Sequence, residues 1–586
     1  MFGWSGQLLR IDLTRKTAET EHIPSELLTR FIGGRGLAGH YLRDLVTLPF
    51  TDPESPFIIF SGPLGGTLAP TSGRFTIMGR SPLTGTIGDS STGGDLGLEL
   101  KKGGVDGVII TGRADRLTGI TIRDREVTFE DATPLLGKTT AEIFDALSSK
   151  RSVTTTGPAA DNGVLFAGLV TDRGHFAGRN GLGTLLASKN CKFIAAEGTG
   201  KIDVADRALL LSAREEVLRL SSASPILMGE LGITNWGTGA LYDLMHVRRM
   251  MPTRNFRETW FEKAPRMNAY FYKKKFAPKK GGCRGCHIQC KKLVEEKHIP
   301  EFETMSHFSA LIDNDDLDTI MEANHLCGLM GMDTISMGGT LACHLEIAAE
   351  KPSREQILAM VHDTALGRGL GRELGQGAAR YAQSKGSPEL AMAVKGQELP
   401  AYDPRGAYGM ALAYATSTRG GCHLRAYPIA HEILRKPVAT DRFSFSSKAR
   451  IIKLAEDANA VVDSLTACKF LFLATSLEEY SRVFEGVTGV PLTTHELMVC
   501  GERILYNERI MNAQNGFNAT HDTLPQRFFA EEGSSGNAIT VLPLDRAAFE
   551  ETRARYYTIR GLTPEGLPTP EKAVALNLEP LPARES

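Results

Sequence analysis

Cys283-Arg-Gly-Cys286-His-Ile-Gln-Cys290 places three cysteines within eight residues near the middle of a 586-residue chain. A C-x2-C-x3-C run presents three thiolates from one loop, as an iron–sulfur cluster requires. A cubane [4Fe–4S] cluster has four cysteine ligands, so the fourth should come from another part of the chain. The chain has nine cysteines, an odd number that is sparse outside this motif. This pattern indicates free thiols and metal ligands of a cytoplasmic protein rather than a disulfide framework.

Other metal chemistries compete for the same motif. Cys283 to His287 also matches C-x-x-C-H, the haem-attachment pattern, but haem attachment normally needs export and leaves Cys290 unexplained. A zinc site built from the three cysteines is the stronger alternative. A radical SAM cluster has the opposite order, C-x3-C-x2-C, and usually lies near the start of a barrel, so it fits neither in order nor in location.

Bulk composition describes an ordinary globular protein with several domains. The hydrophobic fraction is 42%, the charged fraction is 23% and the formal net charge is −1. These values give no reason to expect a nucleic-acid or membrane partner. The N-terminal residues have no basic stretch followed by an apolar run, so we expect no signal peptide. No stretch approaches 18 uninterrupted apolar residues, so we expect no transmembrane helix.

The hydrophobic pattern changes character at about residue 203. Before it, short apolar or alternating runs predict a β-rich region with short helices. After it, helical periodicity dominates, for example at 206–222, at 353–384 and beyond 440. The fold class is therefore predicted to be α+β. The strand candidates are residues 8–13, 57–60, 74–78, 107–111, 120–122 and 164–167.

Two stretches of the β-rich region resemble each other. Each has a glycine-rich loop (from Gly93 and from Ala177), then a short amphipathic helix ending in lysine, then a strand. Such loops offer backbone N–H groups to anions, so a duplicated half-domain could hold two similar anionic groups. Two ordinary turn–helix connections are the alternative. A separate G-x-G-x-x-G match at 34–39 follows a helix-like segment rather than a strand, which favours a structural turn over a dinucleotide site.

A second internal repeat lies in the helical region. Asp333-Thr-Ile-Ser-Met-Gly338 and Asp463-Ser-Leu-Thr-Ala-Cys468 share an aspartate followed by hydroxyl residues. Such an aspartate can bond backbone or ligand N–H groups, or simply cap a helix. Cys468 ends the second copy and is the natural candidate for the fourth cluster ligand. Cys327, Cys343 and Cys500 are predicted to be core residues.

Taken together, the ordered motifs resemble the tungsten-containing aldehyde:ferredoxin oxidoreductase family. Phe31-Ile-Gly-Gly-Arg-Gly-Leu37 and Ala415-Thr-Ser-Thr-Arg-Gly-Gly-Cys-His-Leu424 carry much of the resemblance. The cysteine motif and both aspartate motifs occur in the expected order. The further matching stretches are residues 4–14, 81–85, 177–179, 188–190, 522–527 and 556–561.

The resemblance implies a tungsten (or molybdenum) bis-pterin cofactor and one [4Fe–4S] cluster. It implies a β-rich base domain at 1–203 on which the bis-pterin lies, and two mainly helical domains, 204–395 and 396–586, that cover it. Cys468 matches the fourth cluster ligand, beside Cys283, Cys286 and Cys290. The residues expected to contact pterin are Arg74, Ser91, Gly93, Arg179, Asp333, Gly338, Arg419, Asp463 and Ala467.

The implied reaction is oxidation of a small aldehyde to its carboxylate, with electrons leaving through the cluster to ferredoxin or another electron-transfer protein. The segment from Pro300 to Glu303 resembles the stretch that supplies the catalytic glutamate, and we favour Glu303 over Glu301. On a strand the two side chains would point the same way, so both could reach the site. His423 matches the active-site histidine, and its ordinary pKa suits proton donation or acceptance.

Alternatives remain open at this point. A relative with another low-potential reaction could reduce an aromatic thioester or oxidise a hydroxy acid. A non-catalytic zinc- or cluster-bearing scaffold or electron-transfer subunit is a different class. A homo-oligomer or a complex with an iron–sulfur subunit is possible for this family. Glu322 and His325 form an E-x-x-H pair that could bind a metal, although a solvated helix face is the simpler interpretation.

Overall fold

The computed structural model describes residues 2–582. Within that range, the N-terminal part builds two six-stranded sheets, each from strands that are consecutive in sequence. The first sheet contains β1 (Gln7–Asp12), β2 (Thr17–His22), β3 (Phe57–Phe60), β4 (Arg74–Arg80), β5 (Ile87–Gly93) and β6 (Gly107–Thr111). The second contains β7 (Thr118–Arg123), β8 (Glu126–Asp131), β9 (Ser152–Thr156), β10 (Leu169–Thr171), β11 (His175–Ala177) and β12 (Cys191–Glu197).

The two sheets are related in topology. Their strand orders are β2-β1-β6-β3-β4-β5 and β11-β10-β9-β12-β7-β8. Each contains one parallel pair, β1 with β6 and β7 with β12, among antiparallel neighbours. Short helices connect and cover the strands: α1 (Ser25–Phe31), α2 (Gly34–Leu42), α3 (Leu96–Lys102), α4 (Thr140–Ala146), α5 (Pro158–Asp161) and α6 (Leu182–Ala187).

Both glycine-rich repeats form the predicted loop, helix and strand. The first ends in α3 and β6, and the second in α6 and β12. A glycine lies early in each helix, and a Cβ there would come within 2.7 Å of Phe75 Cβ (at Gly97) or 2.3 Å of the Gly168 carbonyl oxygen (at Gly183). These glycines therefore allow each helix to approach the sheets closely. Apolar side chains of both sheets and of α3 and α6 share one core.

The edges of the two sheets meet at the end of β5. A Cβ on Gly93 would lie 2.4 Å from His175 Nδ1, and one on Gly94 would lie 2.4 Å from Thr171 Cγ2. Edge strands β5 and β11 thus lie against each other without pairing into one sheet. The predicted strand at 164–167 is wrong, because this segment forms turns and only one isolated bridge, between Ala167 and Met332.

The rest of the described chain is mainly helical, which confirms the predicted fold class. The helices are α7 (Arg207–Ser222), α8 (Pro225–Met228), α9 (Ile233–Trp236), α10 (Ala240–Val247), α11 (Ala269–Phe276), α12 (Phe302–His307), α13 (Leu317–Met330), α14 (Thr334–Ala348), α15 (Arg354–Ala365), α16 (Leu370–Leu374), α17 (Ala378–Ser384), α18 (Tyr408–Thr416), α19 (Ile429–Glu432), α20 (Lys448–Ser464), α21 (Leu477–Thr488), α22 (Thr494–Gln514), α23 (Arg527–Ala530), α24 (Arg546–Arg560) and α25 (Pro570–Ala575).

Two cores organise these helices. One joins α10 to α18 with the second sheet's connections. The other joins α7 to α9 with α20 to α22, α24 and the first sheet. Helix α7 therefore packs against α21, far away in sequence. The domain boundaries at 203/204 and 395/396 remain predictions from the sequence.

The cysteine motif lies in a small hairpin. Strand β13 (Lys279–Gly281) pairs with β14 (Lys291–Val294), which pairs with β15 (Lys297–His298), and residues 282–290 form the loop between the first two. A two-stranded ribbon, β16 (Ala393–Val394) with β17 (Gln397–Glu398), completes the strands of the described chain. No helix in residues 2–582 is both long and apolar enough to cross a membrane.

Candidate active site and cysteine cluster

The four predicted cluster cysteines lie close together. Burial raises the pKa of Cys468, and the nearby thiolates of Cys286 and Cys283 raise it further, against the opposing effect of Arg74. Burial likewise raises the pKa of Cys290, with contributions from Glu301 and from the other three cysteines. None of the four forms a disulfide. All four thiols are half-buried, and thiols are the donors that a [4Fe–4S] cluster uses, although no group of three or more His, Cys, Asp or Glu side chains in residues 2–582 has the geometry of a metal site.

Cys500 has different surroundings. It lies on α22, buried in the core, with its Sγ 3.6 Å from the Thr29 carbonyl oxygen. Cys327 and Cys343 are also fully buried on helices, as predicted. Of the candidates for fourth ligand, Cys468 alone is brought to the loop 282–290, where its backbone N–H also bonds the Thr71 carbonyl oxygen.

Arg74 lies between these cysteines and the second aspartate motif. Burial acts to lower its pKa, but the negative charges of Cys468, Cys283 and Asp463 outweigh burial and raise it. Its Nε donates to Ser91 Oγ at 3.0 Å. Gly93 is next to the same loop, because a Cβ on it would lie 2.7 Å from Cys283 Sγ.

Glu303 and His423 form the centre of the candidate active site. Glu303 Oε1 lies 3.4 Å from His423 Nε2, and Ala401 N–H donates to Glu303 Oε2 at 2.7 Å. Burial raises the pKa of Glu303 to about 8, and Asp333 and Cys422 add to the effect. The side chains nevertheless keep 14% and 13% of their surface accessible. Both side chains are therefore largely desolvated.

Glu301 is placed elsewhere. The segment is not a strand, since Glu301 is the N-cap of α12 and Glu303 lies in its first turn. Residues two apart on a helix point in different directions. Glu301 is exposed, and its Oε2 accepts a hydrogen bond from Thr238 Oγ1. The structure therefore brings Glu303, and not Glu301, to His423.

The imidazole of His423 is kept neutral and held by aromatic rings. Burial lowers its pKa well below the ordinary value, and Arg179, Arg419 and Lys469 lower it further. Its ring centroid lies 5.6 Å from that of Tyr402 and 6.2 Å from that of Tyr427. The two tyrosine hydroxyls are 3.3 Å apart. Sequence reasoning missed these tyrosines, since neither stands in a recognisable motif.

The first aspartate motif begins α14. Asp333 Oδ2 accepts from Ser336 N–H at 3.1 Å as a helix cap, and it also lies 3.7 Å from Arg179 Nη1. Gly338 packs against α12, where a Cβ would lie 2.7 Å from His307 Cβ. His307 is a further residue that the sequence did not indicate. It bridges the main-chain oxygens of Glu303, at 2.7 Å from Nδ1, and of Leu399, at 3.1 Å from Nε2.

The second aspartate motif ends a helix instead of beginning one. Asp463 lies in the last turn of α20, and its Oδ2 is 2.9 Å from Lys469 Nζ and 3.3 Å from Arg35 Nη1. Ala467, which follows α20 in the sequence, is buried in the hydrophobic core. The two copies therefore differ in local structure. What they share is an arginine partner from the β-rich region, Arg179 for one and Arg35 for the other.

The contacts of Arg35 indicate that the G-x-G-x-x-G match at 34–39 has a structural role. Its Nε and Nη2 donate to the two oxygens of Glu508 at 2.6 and 2.8 Å. A Cβ on Gly34 would lie 2.4 Å from the Asp463 carbonyl oxygen, so the glycine lets α2 approach the aspartate motif. Arg425 continues the network, bonding Asp89 with its guanidinium.

Replacing Glu508 by Gln should destabilise the protein. The substitution leaves the buried guanidinium of Arg35 without its main counter-charge, and breaking a buried pair in this way costs about 3–5 kcal/mol. A clear drop in thermal unfolding temperature is the expected result. Glu565→Gln, at an exposed glutamate, should leave the unfolding temperature unchanged; equal temperatures for both variants would contradict the structural role of the network.

Arg419 binds the sulfur of Cys422. Its Nε and Nη2 lie 3.1 and 3.0 Å from Cys422 Sγ, and its Nη1 donates to the Asp89 carbonyl oxygen at 2.6 Å. Burial acts to raise the pKa of Cys422, but Arg419, Arg425 and Arg179 lower it overall. The segment after α18 thus places two buried arginines, Arg419 and Arg425, close to His423, with Asp89 as their shared carboxylate.

Two remaining sequence features have structural explanations. Glu322 Oε2 pairs with Lys297 Nζ at 2.7 Å, which fits a solvated helix face better than a metal ligand. His287 Nε2 lies 2.9 Å from Ser221 Oγ and anchors the cysteine loop to α7.

The donor set fits an anionic group. Arg179 Nη1, Glu303 Oε1 and His423 Nδ1 are buried and have no hydrogen-bond partner among the described residues. Within residues 2–582, Arg179 Nη1 makes no hydrogen bond and has the Asp333 carboxylate 3.7 Å away. A buried guanidinium nitrogen in this state favours an anionic ligand, because buried polar groups are normally paired. The arginines around His423 fit the anionic groups of a pterin cofactor, and Arg74 lies beside the four cysteines.

Family models decide the assignment. The model described as aldehyde ferredoxin oxidoreductase, N-terminal domain, matches residues 8–198, and the one described as aldehyde ferredoxin oxidoreductase, domains 2 & 3, matches residues 212–578. The chain belongs to the aldehyde ferredoxin oxidoreductase family.

Curated relatives and a solved structure match nearly the whole chain. The tungsten-containing aldehyde ferredoxin oxidoreductase of Pyrococcus furiosus is 34% identical over 99% of both chains. The enzyme of the same name from Thermococcus kodakarensis is 35% identical over 99% of both. The active-site complex BamBC of benzoyl coenzyme A reductase with 1,5-dienoyl-CoA superposes with a TM-score of 0.84 at 20% identity, covering 98% of this chain and 97% of that one. The last likeness shows a shared fold.

Proposed function

We propose that this protein oxidises an aldehyde to its carboxylate and passes the electrons to a ferredoxin-type carrier. The observation that carries the proposal is the pair of Glu303 and His423, 3.4 Å apart and largely desolvated. The family to which the chain belongs makes aldehyde chemistry the first hypothesis for such a pair.

The cofactor in this proposal is a tungsten (or molybdenum) bis-pterin. Arg74, Ser91 and Gly93 would hold it from the first sheet, and Arg179 from the second. Asp333, Arg419 and Asp463 would hold it from the helical part, with Gly338 and Ala467 packing behind them. When bound, such a group supplies the two-electron redox chemistry that no side chain can provide.

Glu303 is the proposed base. Aldehyde and water together yield a carboxylic acid, two protons and two electrons, so the site needs a proton acceptor. The Ala401 N–H fixes one carboxyl oxygen of Glu303, which leaves Oε1 free of hydrogen-bond partners in the described part of the chain and aimed at His423. In its carboxylate form, Oε1 takes a proton from the attacking water.

His423 is the proposed hydrogen-bond donor to the aldehyde oxygen. Because its pKa is depressed, the ring is neutral at physiological pH and carries one N–H. Tyr402 and Tyr427 pack against the ring and restrict its orientation. A donor held in this way polarises the carbonyl without itself changing charge.

Electrons would leave through a [4Fe–4S] cluster held by Cys283, Cys286, Cys290 and Cys468. Arg74 contacts Ser91 on one side and feels the charge of Cys468 on the other. Cofactor and cluster sites thus share one arginine, which makes the path between them short.

The pH dependence follows from Glu303. Since the carboxylate is the active form and the pKa is raised to about 8, kcat/KM should rise with pH and level off above about pH 8. At neutral pH only a minor fraction of the enzyme is in the active form. A pH–rate profile that follows dye reduction measures this dependence. A rate that falls as pH rises through 8 would contradict the role of Glu303 as the base.

Anaerobic assays on a substrate panel test the proposal. Aldehydes should reduce a viologen dye, and the protein should contain tungsten or molybdenum with about four irons per chain. Dye reduction by hydroxy acids alone, or turnover of aromatic thioesters alone, would place the protein among relatives with other low-potential reactions. Zinc as the only metal would eliminate both kinds of enzyme.

A further inference from the structure

A surface patch beside the cysteine loop carries unneutralised positive charge. Lys273 and Lys274 at the end of α11, and Lys279 and Lys280 on β13, are all exposed. We refer to these four as the lysine patch. In the described part of the chain, none of the four has a carboxylate partner, whereas 43 other pairs of groups are within ion-pair distance.

Most neighbouring cations are neutralised, which sets the patch apart. Lys275 pairs with Asp318 at 2.6 Å, and Arg284 pairs with Asp95. The exposed acids near this hairpin are Glu230, Glu295, Glu296 and Glu301, of which Glu301 accepts a hydrogen bond from Thr238. The local balance is positive in a chain whose net charge is −1.

Exposed apolar side chains adjoin the lysine patch. Leu231 is 78% exposed and Tyr270 is 55% exposed. The ring of Trp236 lies 4.5 Å from Lys273 Nζ and 6.4 Å from the ring of Tyr270. Aromatic and apolar anchors surrounded by charge are the composition of protein-docking sites rather than of ordinary surface.

This surface is built directly on the cysteine loop. Thr234 Oγ1 donates to the Ile288 carbonyl oxygen, and Lys280 Nζ donates to Asn235 Oδ1 at 3.0 Å. A Cβ on Gly237 would lie 2.8 Å from the Cys290 carbonyl oxygen. At the tip of the loop, Gly285 faces open space. A protein seated here would lie immediately above the cluster cysteines.

We propose that the lysine patch, with Leu231, Trp236 and Tyr270, docks a small acidic one-electron carrier protein. This inference rests on the proposed function, to which it adds the partner's charge and its place of docking. Positive charge around the exit point steers an acidic partner and orients it. A compact patch of this kind suits the small, short-lived interfaces of electron transfer.

Charge reversal tests the proposal. Lys274→Glu combined with Lys279→Glu changes two side chains of the patch that make no ion pair. The matched control is Lys138→Glu with Lys201→Glu, at two exposed lysines of the β-rich region. Each variant and the wild type are assayed with a recombinant acidic ferredoxin, with basic cytochrome c and with benzyl viologen, at low and high salt.

The patch variant should raise the KM for ferredoxin at low salt by about tenfold or more. It should lose most of the salt dependence and leave benzyl viologen turnover unchanged, while the control variant behaves as wild type. Unchanged ferredoxin kinetics, or equal effects in both variants, would overturn the proposal. So would a preference of the wild type for cytochrome c.

Calorimetric titration of oxidised ferredoxin into the protein separates this proposal from the proposed function, because it needs no turnover. Binding that the patch variant abolishes supports docking even if no aldehyde is oxidised. Absence of binding to the wild type at low salt refutes docking even if aldehydes reduce the dye.

Discussion

Glu303→Gln should reduce aldehyde oxidation by about 10²- to 10⁴-fold, the usual loss when a general base is removed. The amide keeps the size of the side chain and can still accept the Ala401 N–H bond. Fold and metal content should therefore be retained, and only proton acceptance is lost. Steady-state rates with an aldehyde and a viologen dye give the measurement, with metal analysis on the same sample.

Glu301→Gln is the matched control, two residues away on the same short helix. Glu301 is exposed and bonds Thr238 rather than a residue of the site, so we expect a rate within about twofold of wild type, as for ordinary surface substitutions. A large loss in Glu301→Gln together with a normal rate in Glu303→Gln would reverse the assignment.

Cys468→Ser should abolish the cluster. A serine hydroxyl is a poor substitute for the thiolate that a [4Fe–4S] centre needs. The expected result is loss of most of the iron and of the electron paramagnetic resonance signal of the reduced cluster. Tungsten or molybdenum content is measured in parallel to report on the pterin site.

Cys500→Ser serves as the comparison. It makes the same change of a thiol to a hydroxyl, but Cys500 lies in the helical core next to Thr29. We expect its iron content and spectrum to match those of the wild type. If Cys468→Ser keeps a normal spectrum and Cys500→Ser does not, the fourth ligand has been assigned to the wrong residue.

Local patterns predicted much of the secondary structure. Helix 206–222 was predictable because Asp206 caps it, accepting from the Leu209 N–H, and apolar residues recur on one face. Strand 57–60 was predictable because four consecutive apolar residues fill the middle of a sheet. The stretch 353–384 has the periodicity of one continuous helix but forms three helices. Gly367, Gly369 and Gly377, which lie between these helices, adopt positive φ.

The sequence named the residues of the candidate site but could not give their geometry. Motifs pointed to His423 and to the pair of glutamates, yet the choice between Glu301 and Glu303 depends on where a six-residue helix begins. A helix that short has little periodicity to detect. The contact between Glu303 and His423 joins positions 120 apart, which no local pattern encodes.

The buried ionic network was missed for a related reason. Arg35, Asp89, Arg425 and Glu508 come from four separate segments, and each is an ordinary charged residue in its own surroundings. The available signal was that α22 carries charged residues on every face, although such a helix would normally be exposed on one side. Buried members such as Glu508 and Arg509 show that it is surrounded instead.

Product analysis tests the central claim, that Glu303 and His423 serve aldehyde oxidation, most directly. The protein is incubated anaerobically with an aldehyde and an excess of viologen, and both the carboxylate and the reduced dye are quantified. The account predicts one carboxylate for every two molecules of one-electron dye, with both products suppressed in Glu303→Gln. Dye reduction without carboxylate, or full carboxylate yield from Glu303→Gln, would contradict it.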